Sequence, residues 1–386
     1  MKHLEKVPSA KSIGSLNKLS HALGIEKSIL IDVAESIGGY RKSERTKDNG
    51  KIRVVYSPSR IVRKIQSAIN ERIFTDPRII SWGEYLYGSI PNDEYVTRDY
   101  ISCAARHGMC KSILKMDISD YFDNIHEDAV FDVFNGFLKY PNDVSTILAG
   151  ICTHEGRVPQ GGLTSSYLAN LVLYDVEEIV INKLEKKKLT YTRYVDDITV
   201  SSLSYGYDFT YAQDLIKNML HGKGFPVNEE KCVIERSGTI GLSVHGLRVG
   251  YDRPRLPREE MRRIRANVQK VEIISKEPGY RTTHSYRRDF NRCMGRVNKL
   301  VRLKHDQGAK FIKRLNAIKP LPSIKDINRC RKMVWFLAKD YENKKRRLSY
   351  ERRFYICHER LNILKRSFYQ EEQYLRSNLR TIRPVS

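Results

Sequence analysis

Apolar residues recur with helical spacing in two stretches near the start of the chain, between residues 16 and 25 and between residues 29 and 37. Each stretch predicts one short helix, and Gly38-Gly39 is expected to end the second. Residues 40–60 predict a β-hairpin, because two strand-like segments flank the turn signal Asp48-Asn49-Gly50. Isoleucines at every fourth position predict a further helix over residues 60–75.

The middle of the chain alternates between short strands and helices. The predicted strands and hairpins cover residues 111–118, 190–202, 231–235 and 240–256. The predicted helices between them include one long helix over 164–188 and another over 208–221. After Pro257 the pattern is almost entirely helical, with Leu321-Pro322 as the expected linker. The pattern therefore predicts an α+β fold followed by helices.

Composition adds an expectation about partners. The 386 residues include 69 Lys and Arg against 45 Asp and Glu, a net charge of +24. A surplus of this size favours a polyanionic partner, with nucleic acid ahead of an acidic membrane, over a merely soluble basic surface. The length suits two or three domains.

Location and cysteine chemistry follow from what the sequence lacks. No run of about 20 apolar residues and no signal-like start is present, so we expect a cytoplasmic protein with no membrane segment. The seven cysteines are scattered without a Cys-x-x-Cys pair, which favours free thiols. Cys103, His107 and Cys110 could supply three zinc ligands, but a structural site needs four, so thiols on a helix are the preferred interpretation.

Three aspartates have the character of a metal site. Asp117 closes an apolar strand, and Asp196 and Asp197 are adjacent at the tip of a predicted hairpin. Adjacent carboxylates repel, so a fold that holds them together usually needs cations. Nucleotidyl transfer uses such acids to hold two Mg²⁺ ions about 3.5–4 Å apart. The alternative is a solvated Asp-Asp turn with Asp117 as a helix cap, and these acids alone do not decide between the two.

Three segments resemble the successive core motifs of reverse transcriptases, in the same order and spacing. They are residues 116–125 (MDISDYFDNI), 158–166 (VPQGGLTSS) and 191–201 (YTRYVDDITVS).

The bacterial retron branch looks most similar. Residues 103–107 (CAARH) resemble its Asn-Ala-x-x-His element, and residues 244–246 (VHG) resemble its Val-Thr-Gly element. Cys103, His245 and Val195 stand where Asn, Thr and Ala are usual in that branch. The segment from residue 321 to 386 exceeds a minimal retron enzyme.

The resemblance implies roles in catalysis for four acidic or carbonyl groups and one lysine. Asp117, Asp196 and Asp197 would be the metal ligands for two Mg²⁺ ions, with Mn²⁺ as a second candidate, and the backbone carbonyl of Ile118 would add an oxygen. Lys231 resembles a lysine that protonates the leaving pyrophosphate.

The resemblance also implies nucleotide contacts. Phe122 would lie under the sugar of the incoming nucleotide and exclude a 2′-hydroxyl, with ordinary core packing as the alternative. Gln160 would touch that nucleotide. Lys51 and Arg53 would bind its triphosphate, although either could be a solvated hairpin charge.

A right-hand polymerase is the implied architecture. N-terminal helices and fingers would cover 1–110, the palm with interleaved fingers elements 111–240, the palm end and thumb 241–320, and a basic helical extension 321–386. The thumb would grip a nucleic-acid duplex through Arg258, Arg262, Arg263 and Arg265, and His245 would be a further nucleic-acid contact. Tyr350, Phe354, Tyr355 and Tyr369 in the extension suit stacking of unpaired bases, or else a helical core.

The implied activity is RNA-directed DNA synthesis from deoxynucleoside triphosphates. The template would be a cognate structured non-coding RNA, the product multicopy single-stranded DNA, and the context anti-phage defence with a separate effector protein; oligomerisation is left open. Three alternatives remain at this point: a non-retron defence-associated reverse transcriptase with self- or protein-primed synthesis, a non-catalytic RNA-binding scaffold, and an RNA-dependent RNA polymerase. The intact aspartates argue against the second and Phe122 against the third.

Overall fold

A computed structural model describes residues 3–9, 12–36, 39–46, 50, 52–94, 96–238 and 241–385. The chain divides into two compact units, Met1–Arg255 and Leu256–Ser386. The first unit contains all of the described strands, and the second is helical. None of the helices within these described ranges combines the length and apolar character needed to cross a bilayer.

The helices of the first unit are α1 (Leu16–Leu23), α2 (Lys27–Glu35), α3 (Arg60–Ile69), α4 (Tyr100–Ala105), α5 (Glu127–Asp132), α6 (Asn142–Cys152), α7 (Ser165–Leu171), α8 (Glu177–Lys186) and α9 (Thr210–Gly222). Its strands are β1 (Glu5–Lys6), β2 (Tyr40–Thr46), β3 (Ile52–Pro58), β4 (Ile80–Ser81), β5 (Leu86–Tyr87), β6 (Ser112–Asp117), β7 (Thr190–Tyr194), β8 (Asp197–Ser202), β9 (Val233–Arg236), β10 (Ser243–Val244) and β11 (Leu247–Arg248).

A five-stranded sheet in the order β5-β7-β8-β6-β9 forms the centre of the first unit. β5 and β7 are parallel, and the other neighbouring pairs are antiparallel. The middle strands are largely buried, and their apolar side chains pack with helices α3 and α5–α9 in one hydrophobic core. Such burial is the main favourable term in folding, so the sheet is a firm platform for whatever its strand ends carry.

The predicted hairpins are confirmed at 40–60, 190–202 and 240–256. Gly38, Asp48 and Asn49 lie outside the described residues. The single helix predicted over 164–188 is wrong, because the chain forms α7 and α8 with a break between Leu171 and Glu177. The break lets Glu177 begin α8 fully buried beside Arg193, a tertiary partner that helical periodicity does not reveal.

Arg193 and Glu177 form an ion pair whose side chains are both 0% exposed. Arg193 Nε and Nη2 donate to the two carboxylate oxygens of Glu177 at 2.5 and 2.7 Å, and the Tyr191 hydroxyl donates to the same carboxylate at 2.8 Å. Of the three remaining guanidinium hydrogens, two reach the carbonyls of Ala169 and Asn170 in α7 and the third reaches the Val195 carbonyl, each at 3.0 Å. Strand β7 is thereby fastened to both halves of the broken helix.

The second unit contains α10 (Arg258–Ser275), α11 (His284–Arg302), α12 (Asp306–Ala317), α13 (Ile324–Lys344), α14 (Leu348–Leu364) and α15 (Tyr369–Thr381). The last three share a core of their own, built around Leu337, Leu361 and Leu379. The predicted break at Leu321-Pro322 separates α12 from α13, and hydrogen bonds hold this segment in place: the Leu321 amide donates to the Arg281 carbonyl at 2.9 Å.

We expect Glu177→Gln to destabilise the first unit by about 3–5 kcal/mol, because the substitution leaves the Arg193 charge buried without a counter-charge. Urea denaturation of the full chain would measure the loss. Glu229→Gln is the control, since it removes a carboxylate that is 62% exposed and pairs with Lys217, and should cost less than about 1 kcal/mol. Equal effects of the two substitutions would contradict the bracing role of the buried pair.

Candidate active site

Strand pairing brings the three aspartates together. β6 ends at Asp117, whose backbone partner across the sheet is Asp197, the first residue of β8. Asp196 lies in the turn between β7 and β8, and its carbonyl accepts a hydrogen bond from the Ile118 amide at 3.2 Å. Residues 79 positions apart in the sequence therefore meet at one end of the sheet because of the antiparallel register.

The carboxylates disfavour one another's charge. Partial desolvation, together with the charges of Asp196 and Asp117, raises the pKa of Asp197 to about 6, although its side chain is 52% exposed. Burial and the neighbouring Asp117 also raise the pKa of Asp196 above its usual range. A cation placed among these oxygens would relieve the repulsion.

A lysine already supplies one positive charge. Lys231 Nζ donates to both carboxylate oxygens of Asp117, at 2.9 and 3.0 Å, and this hydrogen bond raises the pKa of the lysine. Asn228 Nδ2 donates to the same carboxylate at 3.1 Å. Over the described part of the chain, no three His, Cys, Asp or Glu side chains form a preassembled metal site. The three carboxylates are nonetheless the hard oxygen donors that Mg²⁺ prefers, so the residues present fit such an ion.

The hairpin tip that carries Asp196 is strained. Val195, the first of its two turn residues, has φ of +60°, a left-handed conformation that hairpin turns of this length require and glycine usually supplies. Arg193 Nη1 donates to the Val195 carbonyl at 3.0 Å, and the Val195 amide donates to the Tyr87 carbonyl at 3.2 Å. A Cβ atom at Gly88 would lie 3.0 Å from both the Tyr194 ring and Val195 Cγ2, so this glycine makes room for the tip. Non-glycine residues held in this way are typical of functional sites.

The loop before α7 lies against the β2–β3 hairpin. Arg53 Nε donates to Gln160 Oε1 at 2.7 Å, and the Tyr56 amide donates to the Gln160 carbonyl at 2.8 Å. Gly161 has φ of +115°, and a Cβ atom there would lie 2.4 Å from the Tyr56 carbonyl oxygen, so only glycine permits this approach. Two of the predicted nucleotide contacts are thus joined to each other, whereas Lys51 lies outside the described residues.

Phe122 lies on a short 3-10 helix, Tyr121–Asn124, that follows β6. Its half-buried ring packs against the core, with the Tyr121 ring centroid 6.2 Å away. Ile118, between Asp117 and this helix, is buried.

A buried polar chain runs beneath the hairpin. His107 contacts Ser201 Oγ through Nδ1 at 2.7 Å and Thr192 Oγ1 through Nε2 at 2.8 Å. Cys103 Sγ lies 3.4 Å from Thr192 Oγ1 and 3.3 Å from His245 Nε2. Both ring nitrogens of His107 are therefore occupied by hydroxyl groups, which leaves none for the zinc ion considered above.

The predicted nucleic-acid contacts fall on both units. Arg258, Arg262, Arg263 and Arg265 are exposed along α10, whose opposite face buries Met261, Ile264, Val268 and Val271. Arg265 Nε donates to Gln307 at 3.0 Å. In contrast, the side chain of His245, in the first unit, is only 14% exposed.

The four aromatic residues predicted in the C-terminal extension divide between the two alternatives, two in a helical core and two exposed. Tyr350 and Phe354 are buried in the core of α13–α15 and cannot stack on bases, because their positions on α14 face the neighbouring helices. Tyr355 and Tyr369 are exposed, as are Trp335, Phe336 and Tyr374, which the sequence analysis missed.

Sequence reasoning also missed the residues that support the acids. The signal for Arg193 is a charged residue in the middle of a strand whose other residues are half-buried or buried. Asn228 lies three residues before Lys231, and nothing in the sequence indicates its contact with Asp117. The contact between Cys103 and His245 joins residues 142 positions apart and needs the fold to be seen.

Comparison with known proteins identifies relatives along nearly the whole chain. Residues 41–272 match the family described as reverse transcriptase (RNA-dependent DNA polymerase). The retron Ec48 reverse transcriptase of Escherichia coli is 40% identical over 391 aligned residues, which cover 98% of this chain and 95% of that protein. The retron Se72 reverse transcriptase of Salmonella heidelberg (strain 579083-10) is 34% identical, over 86% of each chain.

Among solved structures, a telomerase from Candida albicans in complex with a fragment of telomeric RNA aligns with a TM-score of 0.41 and 10% identity, covering 100% of this chain and 69% of that one. That likeness is too distant to indicate the ligands of this chain.

We expect Asp197→Asn to raise the melting temperature of the metal-free protein at about pH 8. A carboxyl whose pKa is raised by folding binds its proton more tightly in the folded chain, so its ionisation costs stability above a pH of about 6. That cost becomes smaller as the pH falls toward the pKa of the carboxyl in the unfolded chain. The rise in melting temperature caused by Asp197→Asn should therefore be smaller at about pH 5. Thermal melts in EDTA would measure both, with Asp214→Asn, exposed on α9, as the control. An equal rise in melting temperature at both pH values would contradict charge repulsion among the three aspartates.

Proposed function

Because this chain belongs to the retron reverse transcriptases, which are RNA-directed DNA polymerases, we propose that Asp117, Asp196 and Asp197 form its catalytic centre. The observation that carries the proposal is the register of β6 and β8, which sets Asp117 opposite Asp197 and leaves the carboxylates in mutual repulsion. Such an arrangement costs stability and is retained where a cation has to be bound.

The proposed cofactor is Mg²⁺, in two sites, with Mn²⁺ as the alternative. The carboxylates of Asp117, Asp196 and Asp197, with the Ile118 carbonyl, are its proposed ligands. When bound, the ions activate the 3′-hydroxyl and neutralise charge on the triphosphate. The protein contributes a rigid edge of the sheet, which holds the oxygen donors before substrate arrives.

Arg53, Gln160 and Phe122 are proposed to receive the deoxynucleoside triphosphate, with Lys51 as a further cation. The hydrogen bond between Arg53 and Gln160 orients the guanidinium, so its other donors are available to phosphate oxygens. Phe122 lies on the short 3-10 helix that follows the strand ending at Asp117, and its core contacts fix the ring. A rigid ring at that place would exclude a 2′-hydroxyl by steric contact.

Lys231 is proposed to donate a proton to the leaving pyrophosphate. Asp117 keeps the lysine protonated, since the hydrogen bond between them raises the lysine pKa. The ammonium group would leave Asp117 when the nucleotide binds and would then contact the phosphates. At 63% exposed, the lysine side chain has the freedom to make that movement.

The proposed architecture is that of a right hand, with fingers in 1–110, palm in 111–240 and palm end and thumb in 241–320. Exposed arginines on α10 would grip the phosphates of an RNA–DNA duplex, whose A-like form is recognised by shape. The extension 321–386 would add positive charge, with 17 Lys and Arg against 7 Asp and Glu from Lys325 onward.

The proposed partners are a cognate structured non-coding RNA, its cDNA in the form of multicopy single-stranded DNA, and a separate effector protein in anti-phage defence. The retron relatives favour this setting over protein-primed synthesis. Because the substrates are nucleotides and RNA, we propose that the protein acts in the cytoplasm.

The double substitution Asp196→Asn with Asp197→Asn should lower DNA synthesis by at least about 10³-fold, because it removes the carboxylate charge that would hold the metal ions. RNA affinity should be unchanged, since the substitutions lie away from the basic helices of the second unit in sequence. Primer extension and filter binding would measure the two quantities, with Asp214→Asn as control. DNA synthesis that survives in the double variant would exclude the proposed centre.

Replacing Phe122 by alanine should raise ribonucleotide incorporation relative to deoxynucleotide incorporation by about tenfold or more, since the steric block is removed. Single-nucleotide extension with matched ribo- and deoxynucleotides would measure the ratio of kcat/KM values. Phe131→Ala is the matched control, because Phe131 is also a partly buried ring packed on the same core. If both variants keep the wild-type ratio, Phe122 is core packing only.

A further inference from the structure

Cys103 and His245 contact each other, with Sγ 3.3 Å from Nε2. They are two of the three positions at which the chain departs from the retron sequence pattern. Both are enclosed: Cys103 is 0% exposed, and the His245 side chain is 14% exposed with its ring centroid 4.8 Å from that of Tyr194. A ring covered on this scale offers little surface to a nucleic-acid duplex.

The Cys103 thiol has one hydrogen and two acceptors within reach, Thr192 Oγ1 at 3.4 Å and His245 Nε2 at 3.3 Å, and its donation to Nε2 would set the tautomer of His245. Burial raises the pKa of the Cys103 thiol to about 12, so the thiol keeps its hydrogen and can donate it to Nε2. A neutral imidazole that accepts at Nε2 carries its own hydrogen on Nδ1. Nδ1 is the atom that faces Asp197, 4.0 Å from Oδ2, a separation that one bridging water would span.

Other contacts keep both partners in place. Thr192 Oγ1 lies 3.4 Å from Cys103 Sγ and is itself held by His107, whose other nitrogen contacts Ser201. Thr192 and Ser201 belong to the two strands of the hairpin that carries the aspartates. The chain of contacts therefore leads from the inside of the sheet to the rim where Asp197 stands.

We propose that Cys103 and His245 are a pair of positioning residues: Cys103 orients the His245 ring, and His245 Nδ1–H orients the Asp197 carboxylate. This assignment replaces a nucleic-acid contact for His245 and rests on the proposed role of Asp197 as a metal ligand. Groups that orient a ligand in this way typically change metal affinity when they are removed.

Mn²⁺ binding to the full chain, measured by electron paramagnetic resonance of the free ion, tests the pair without relying on activity. Cys103→Ala and His245→Ala should each weaken Mn²⁺ binding by about tenfold. The double variant should be no weaker than the poorer single variant, because both residues act through one carboxylate. Cys103→Ser should retain most of the affinity, since the hydroxyl can still donate to Nε2.

Cys152→Ala is the matched control, because it also removes a fully buried thiol from the first unit. It should lower the melting temperature as much as Cys103→Ala does and leave Mn²⁺ affinity unchanged. A loss of Mn²⁺ affinity in Cys152→Ala equal to that in Cys103→Ala would reduce the effect to general destabilisation and overturn the inference.

Asp197→Asn separates the inference from the proposed function. If Asp197→Asn binds Mn²⁺ as the wild type does, the metal role of Asp197 fails, and the inference fails with it. If Asp197→Asn loses affinity while Cys103→Ala keeps it, only the inference is overturned. Weaker primer–template binding by His245→Ala, with Mn²⁺ affinity intact, would return His245 to the nucleic-acid contacts.

Discussion

The buried ion pair of Arg193 and Glu177 is the contact on which the sheet end that carries the three aspartates depends. Its guanidinium joins strand β7, both halves of a broken helix and the carbonyl of the strained turn residue Val195. A charge in a dry interior is tolerated only with a partner and with every hydrogen bond satisfied. Burying two charges costs free energy, and the need to satisfy all their hydrogen bonds allows only one geometry for the hairpin tip.

That fixed geometry supports an arrangement that would otherwise relax. Asp196 and Asp197 stand beside Asp117 although their charges oppose it, and Val195 is held in a left-handed conformation that β-branched residues avoid. The surrounding core of aliphatic and aromatic side chains absorbs both costs. Stability is thus distributed unevenly: the buried centre of the sheet stabilises the fold, and the repulsion among the three aspartates at its rim opposes it.

What could be predicted from the sequence depends on how local each signal is. The hairpin 190–202 follows from alternation and a short polar tip, and the two N-terminal helices follow from spacing; both are present. The helix predicted over 164–188 failed because its apolar spacing continues through residues 172–176, while a buried arginine elsewhere in the chain requires Glu177 at a new helix start. Local periodicity contains no information about such a partner.

The same distinction applies to the site. Asp117, Asp196 and Asp197 could be found because each lies in a short family motif of contiguous residues, 116–125 or 191–201. The groups that hold them could not, since Asn228, Arg193 and the Cys103–His245 contact act across more than ten residues or through burial. Short motifs identify candidate site residues. The residues that hold them in position depend on tertiary packing, which involves the whole chain.

The two-residue turn between β7 and β8 limits how this protein can change over evolutionary time. Side chains alternate between the faces of a sheet, so an inserted or deleted residue that shifted β8 by one position would turn every later side chain of β8 to the opposite face. Asp197 would then lose its place opposite Asp117, and Ile198 and Val200 would exchange sides with their polar neighbours. Lineages of this enzyme can therefore vary the identity of the tip residues, as Val195 illustrates, more readily than their number.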